Sequence, residues 1–252
     1  MNNVILSTNK LCKTFSNGGV QQHILKNLDL EIIEGDFTVI MGSSGAGKST
    51  LLYALSGMDK PTLGEIRFGD KNLAGLSNDK LAVFRRENCG FVFQQIYLMD
   101  NMSLLDNIIA SGLLISKDKK AIVARAKELL KKVNVGEILW NKFPTQLSGG
   151  EAQRAGVVRA LINNPKIVFA DEPTGALNSA AGTAVLDVLT EVNNNGQNVV
   201  MVTHDLKTAR RGNRIVYLKD GVVQGECHLG KYTSGNKARS EKLRAFLVEM
   251  GW

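Results

Sequence analysis

Residues 37–52 read FTVIMGSSGAGKSTLL, and this stretch decides the fold. The apolar run 37–41 is bounded by turn-forming residues, as a buried strand is. An apolar, helix-forming run follows and predicts a helix from about 48 to 57. Between them lie Gly42, Ser43, Ser44, Gly45, Ala46 and Gly47, then Lys48, Ser49 and Thr50. Side chains this small let the backbone wrap so that its N–H groups point at anionic oxygens. The helix N-terminus that follows adds partial positive charge. The spacing G-x-x-x-x-G-K-S/T between a strand and a helix is a phosphate-binding loop. Lys48 is placed to reach terminal phosphates, and the Ser49 hydroxyl is placed to meet Mg²⁺.

Outward from that loop, strands and helices alternate. Strands are expected at 4–11, 28–33, 64–68, 90–94, 167–170 and 199–203, with a Gly-Gly turn at 18–19. Residues 213–218 and 221–225 form a β-hairpin pattern turning at Asp220-Gly221. Helices are expected at 77–87, across 103–133 with a Ser103/Asp106 capping box, at 149–162 and at 179–194. Such alternation implies an α/β fold with a mainly parallel sheet, an antiparallel β part and, over strand-poor residues 90–162, an inserted helical subdomain. The expected organisation is one domain over 1–252. Its core covers about 1–89 and 163–225, and a C-terminal extension covers about 226–252.

Composition narrows the partners. The chain has 252 residues, 44% of them hydrophobic, so a sizeable core is available. A formal charge of +7 favours anionic partners: nucleotides, nucleic acid or an anionic membrane surface. Three scattered cysteines give no disulfide framework and no metal-ligand spacing, which points to a reducing compartment. The N-terminus lacks a signal-peptide pattern. No window approaches 18 uninterrupted apolar residues, so any membrane span is expected from another chain.

Two further motifs bear chemistry. KIVFADEP, 166–173, is an apolar strand ending in two carboxylates. Asp171 is placed to hold Mg²⁺, usually through water. Glu172 is placed to polarise an attacking water. LSGGEAQR, 147–154, is a second glycine-rich helix start that Ser148 can cap. Ser148, Gly149, Gly150 and Glu151 would form a second anion site there. One phosphate cannot use both sites of one chain if they lie on opposite faces. The economical arrangement is two copies face to face, each ATP held by one copy's 42–49 loop and the other's 148–150 segment.

GSSGAGKS, LSGGE, IVFADE and a lone His204 after the strand VVMVT occur in one order. In that order the chain resembles the ATP-binding subunit of an ABC transporter over residues 4–225. The resemblance implies an ATP-hydrolysing α/β core, a helical subdomain carrying LSGGE, and a head-to-tail homodimer formed on ATP. It also implies a transmembrane permease as partner, peripheral attachment at the cytoplasmic face of the membrane, and no nucleic acid. By the same resemblance Gln94 touches Mg²⁺ and the attacking water and senses the permease. His204 contacts the terminal phosphate, and Phe15 lies under adenine. Two departures stand out. Asn178 replaces the usual aspartate of S-A-L-D, so coupling between the ATP sites is expected to differ. Glu151 replaces the usual glutamine.

GFVFQQIYLMDNMSLLDNI and FADEPTGALNS resemble the subgroup serving lipoprotein release, macrolide export and peptide-antibiotic resistance. PTGALNS tilts the expectation toward antimicrobial-peptide detoxification or export. Two other readings keep the ATPase. One is a soluble ATP switch acting on nucleic acid or ribosomes, and the other is a clamp regulating a membrane protein or cell-wall enzymes. In the tail, Leu243, Phe246, Leu247 and Met250 share one helical face. That face suits a helix folded onto its own domain better than a contact with a membrane partner. The basic run 117–132 reads as a solvated helix face.

Overall fold

A computed structural model describes residues 3–252. In chain order its first elements are β1 (Val4–Asn17), β2 (Val20–Ile33), β3 (Phe37–Met41), α1 (Lys48–Leu55), β4 (Leu63–Phe68), β5 (Lys71–Asn72), α2 (Asn78–Asn88) and β6 (Cys89–Phe93). Then come α3 (Leu104–Gly112), α4 (Lys119–Lys132), α5 (Gly149–Leu161), β7 (Ile167–Asp171), α6 (Ser179–Asn194), β8 (Asn198–Val202), α7 (Leu206–Ala209), β9 (Arg214–Lys219), β10 (Val222–His228) and α8 (Lys237–Glu249). The chain divides into two compact units, Met1–Val83 with Asn198–Trp252, and Phe84–Gln197.

In the first unit, β3 runs parallel to β8 on one side and β9 on the other. Every residue of β3 and β8 is buried, as continuous apolar runs dictate. β9 and β10 form the predicted antiparallel hairpin. A separate antiparallel sheet has the order β2-β1-β4-β5. β1 and β2 are longer than the sequence suggests, extending to a turn at Gly18 (φ 56°) and Gly19 (φ 84°). Their ladder shifts register between Thr8 and Leu11 and between Leu11 and Lys13. Lys10 and Asn27, with φ of 47° and 46°, sit inside those shifts. Each bulge breaks the period-2 alternation that would have exposed the full strand.

The tail helix α8 folds onto this unit. Leu243 and Leu247 are buried, and a Cβ at Gly225 would lie 2.8 Å from Met250 Sδ. Arg239, itself buried, clasps α8 in place. Its Nε donates to Arg210 O at 2.7 Å, its Nη1 faces the carbonyls of Leu229, Gly230 and Lys231, and its Nη2 donates to Gly212 O.

In the second unit, β6 and β7 pair in parallel from Cys89↔Ile167 to Phe93↔Asp171. α5 packs against β6, α6, α3 and α4. The stretch 103–133, expected to be helical, holds two helices. α3 ends near Gly112, and the Asp118 side chain caps α4 by accepting from Ala121 N at 3.0 Å. Gly112 lets the two cross closely, since a Cβ there would lie 2.5 Å from Ile122 Cγ2. Ser103 caps α3, but the box differs from expectation. Asp106 is too short to reach back to the Ser103 N–H and instead accepts the Ser103 hydroxyl at 2.6 Å. The lysines of 117–132 are exposed while Ile122, Ala126 and Leu130 are buried, as a solvated helix face requires. Trp140 is structural, its indole N–H donating to Val135 O at 3.0 Å. No described helix is long and apolar enough to cross a membrane.

Candidate active site

The phosphate loop joins β3 to α1 within the first unit. Gly47 is the N-cap of α1 with φ 98°, a left-handed conformation that favours glycine. No side chain caps this helix, and its first turn carries no acidic residue. A helix start without a side-chain cap or an acidic first turn suits an anion, because its N–H groups and dipole carry partial positive charge. Gly42 is fixed by crowding: a Cβ there would lie 2.2 Å from Leu218 O. A Cβ at Gly45 would meet nothing within 4 Å, so that side of the loop is clear. Ser43 and Ser44 are exposed and Ala46 is buried, while Ser49 and Thr50 are partly covered. Lys48, 9% exposed, bends back over the loop and donates to Gly42 O at 2.9 Å and Ser43 O at 2.8 Å. The same unit holds His204, exposed just past β8, and Phe15 on β1, a 45% exposed residue with Lys13 Nζ 4.8 Å from its ring centroid.

The second unit holds the other motifs. β7 is buried along its length and delivers Asp171 at its tip. Glu172 follows with φ 46°, a costly conformation for a non-glycine residue, which turns the chain sharply at the strand end. The turn is closed by Gly175 N donating to Glu172 O at 3.0 Å. Gln94, exposed just past β6, lies against this turn, because a Cβ at Gly175 would be 2.9 Å from Gln94 Nε2. Asp171, Glu172 and Gln94 thus leave two adjacent strand tips.

The signature segment forms the N-terminus of α5. Ser148 Oγ accepts from Glu151 N at 3.4 Å, and Glu151 Oε2 accepts from both the Ser148 N–H and hydroxyl at 2.8 Å. The Ser148 amide and then its hydroxyl hold the Glu151 carboxyl below the usual carboxylate range. Glu151 therefore serves the capping box, where a glutamine would serve equally. Ser148 and Gly149 are exposed, but Gly150 is buried against α6, where a Cβ would lie 2.8 Å from Ala181 Cβ. Asn178 Oδ1 accepts from Ala181 N at 2.9 Å and so caps α6, as an aspartate there could also do.

Sequence reasoning missed two kinds of supporting residue. Asn107, buried in α3, accepts from Met99 N and donates toward the carbonyls of Met99, Met102 and Ser103, moulding the segment after Gln94. Gln153 of α5 bonds to both strand tips, and Arg159 bonds to the segment after Gln94. The available signal was a buried-face glutamine among the small residues of GGEAQRAG.

The first unit thus presents a glycine-rich phosphate loop at a helix start, and the second presents strand-end carboxylates and a second glycine-rich helix start. Residues 25–175, more than half of the chain, match the ABC transporter family. The chain belongs to the ABC transporter family. This ABC ATPase is 42% identical over 219 residues to an uncharacterized ABC transporter ATP-binding protein, MJ1508, of Methanocaldococcus jannaschii, covering 87% of this chain and 97% of that one. It is 43% identical over 211 residues to the macrolide export ATP-binding/permease protein MacB of Escherichia coli, covering 84% of this chain but 32% of that protein. The dimeric post-hydrolysis structure of the ATP-binding cassette MJ0796 bound to ADP and Pi superposes with a TM-score of 0.83 at 40% identity. The match covers 90% of this chain and 100% of that one. The α/β class expected from the sequence is the class found.

Proposed function

We propose that this ABC ATPase is the ATP-hydrolysing subunit of a bacterial transporter, forming a homodimer on ATP to drive a separate transmembrane permease. The observation that carries the reading is the uncapped, glycine-bounded N-terminus of α1, with Lys48 poised over it. That arrangement fits a polyphosphate, since amides and an ammonium supply what its oxygens accept.

The roles follow motif by motif. Residues Gly42–Thr50 bind the phosphates, and Phe15 stacks on adenine. Ser49, Gln94 and Asp171 hold Mg²⁺, an all-oxygen donor set of the kind that cation takes. When bound, Mg²⁺ neutralises charge on the phosphates. Glu172 acts as base or water-orienter for the attacking water, and His204 contacts the terminal phosphate. Ser148, Gly149, Gly150 and Glu151 of the opposite copy complete the site. The dimeric MJ0796 cassette supports two copies sharing nucleotide. The segment after Gln94, about 95–112, passes closure to the permease and places the subunit peripherally at the cytoplasmic face of the membrane. The division into a core of about 1–89 and 163–225, a helical subdomain of about 90–162 and an extension of about 226–252 belongs to the same proposal. The relative named for macrolide export supports antibiotic export as the task, and antimicrobial-peptide export or resistance and lipoprotein release are the related tasks.

The test is Glu172→Gln. ATP should still bind, turnover should fall by about 10² to 10⁴, and a closed dimer should accumulate in size-exclusion chromatography with ATP. Turnover at the unaltered rate would remove Glu172 from the mechanism. Copurification of a membrane subunit from detergent extracts tests the permease, and stable nucleic-acid association would count against it.

A further inference from the structure

One side chain joins the two strand tips on which the proposed hydrolysis depends. Gln153 lies in the second turn of α5 and is 1% exposed. Its amide nitrogen donates to Phe93 O and to Pro173 O, each at 2.8 Å. A primary amide offers two protons, and this geometry uses both. Phe93 O belongs to the peptide that leads into Gln94, and Pro173 O lies one residue past Glu172. The β6–β7 ladder ends at Phe93↔Asp171, so Gln153 fastens the two strands just where their own pairing stops. Its helix grips the Gln94 segment again further along. A Cβ at Gly156 would lie 3.3 Å from Ile96 Cγ2, and the Arg159 guanidinium donates to Ile96 O at 2.7 Å and Tyr97 O at 2.5 Å.

We propose that Gln153 is a positioning residue for ATP hydrolysis. It sets Gln94 and Glu172 at a fixed separation and ties both to α5, the helix that begins with Ser148–Gly150. The physical basis is that Glu172 holds a costly left-handed conformation and the segment after Gln94 is irregular, so the Gln153 bonds add support where strand pairing has ended. Removing both donors orphans two carbonyls and lets the tips drift. A displacement near 1 Å costs about 10²-fold in rate. ATP affinity is not affected, because the phosphate loop lies on other elements. The inference rests on the assignment of Glu172 and Gln94 under the proposed function.

The experiment compares Gln153→Met, which keeps the volume and removes the donors, with Gln153→Asn, which is one methylene shorter and reaches one carbonyl. Each is made alone and with Glu172→Gln. Steady-state and long single-turnover hydrolysis give the rates, and a fluorescent ATP analogue gives affinity. For Gln153→Met the expected result is kcat down about 30-fold or more with KM within about twofold, Gln153→Asn falling between it and wild type. Added to Glu172→Gln, Gln153→Met should lower the residual rate by clearly less than it lowers the wild-type rate, since one of the two groups it positions is already disabled. Wild-type kcat in Gln153→Met, or losses that multiply with Glu172→Gln, would overturn the proposal. Loss of ATP binding in both Gln153 variants would also overturn it, by making Gln153 a scaffold residue. An unimpaired Glu172→Gln single variant would instead sink the underlying assignment of Glu172.

Discussion

Adding one methyl group to Gly150 separates packing from anion binding in the signature segment. An ideal Cβ there lies 2.8 Å from Ala181 Cβ and 3.6 Å from Ala181 Cα. Carbon atoms settle at about 3.5–4.0 Å, so α5 and α6 must part by roughly 1 Å. Neither atom is the end of a flexible side chain, because Gly150 and Ala181 both sit in first helical turns. Overpacking of this kind costs about 1–3 kcal/mol. A shift of that size at Ser148–Gly150 should lower kcat by about 10²-fold. Gly149→Ala is the control. Its Cβ meets only Leu177 Cδ2, at 3.2 Å, and that methyl can rotate away. Its effect on stability should stay within about 0.5 kcal/mol. The decisive variant is Gly150→Ala with Ala181→Gly. Removing the Ala181 methyl leaves Cα at 3.6 Å, an ordinary contact. The pair should recover most of the lost turnover while α6 gives up about 1 kcal/mol of helix propensity. Steady-state ATPase rates and thermal melts read both effects. If Gly150→Ala is equally inactive with and without Ala181→Gly, the steric reasoning is wrong and the glycine is needed for its bare backbone.

Three further outcomes are expected. Lys48→Ala should weaken ATP binding by at least tenfold by titration, since it removes the charge nearest the loop; unchanged affinity would refute the phosphate-loop assignment. Arg239→Met should cost about 3 kcal/mol through lost charged hydrogen bonds, or about 6–12 °C in melting temperature, and should open the 231–237 region to trypsin. Glu151 has a depressed pKa in the folded state, so its capping contribution is complete above the ordinary value of about 4.3. That contribution is lost as pH falls through the lower folded value. Melting curves across acidic pH should therefore drop more steeply for wild type than for Glu151→Gln and coincide near neutrality.

Legibility followed sequence distance. The phosphate loop, the strand-end carboxylates and the signature helix each lie within about ten consecutive residues, so their chemistry and their local geometry coincide in the sequence. Gln153 has partners 60 and 20 residues away, and Arg239 has one 29 residues away, so pattern reading sees only a polar side chain in a helix. The split of 103–133 into α3 and α4 was hidden because LLISK continues the apolar pattern through the break. The capping box at Ser103 failed on one methylene, aspartate being shorter than glutamate. The extra length of β1 and β2 was masked by bulges at Lys10 and Asn27, which throw the alternation out of phase.

The lysine of the phosphate loop is held by carbonyls of that same loop. An incoming triphosphate therefore meets a receptacle already shaped, and capture amounts to a change of acceptor around one ammonium. Little ordering entropy remains to be lost on binding. Nucleotide entry should then be set by diffusion and charge attraction, leaving the slow, regulated part of the cycle to steps after capture.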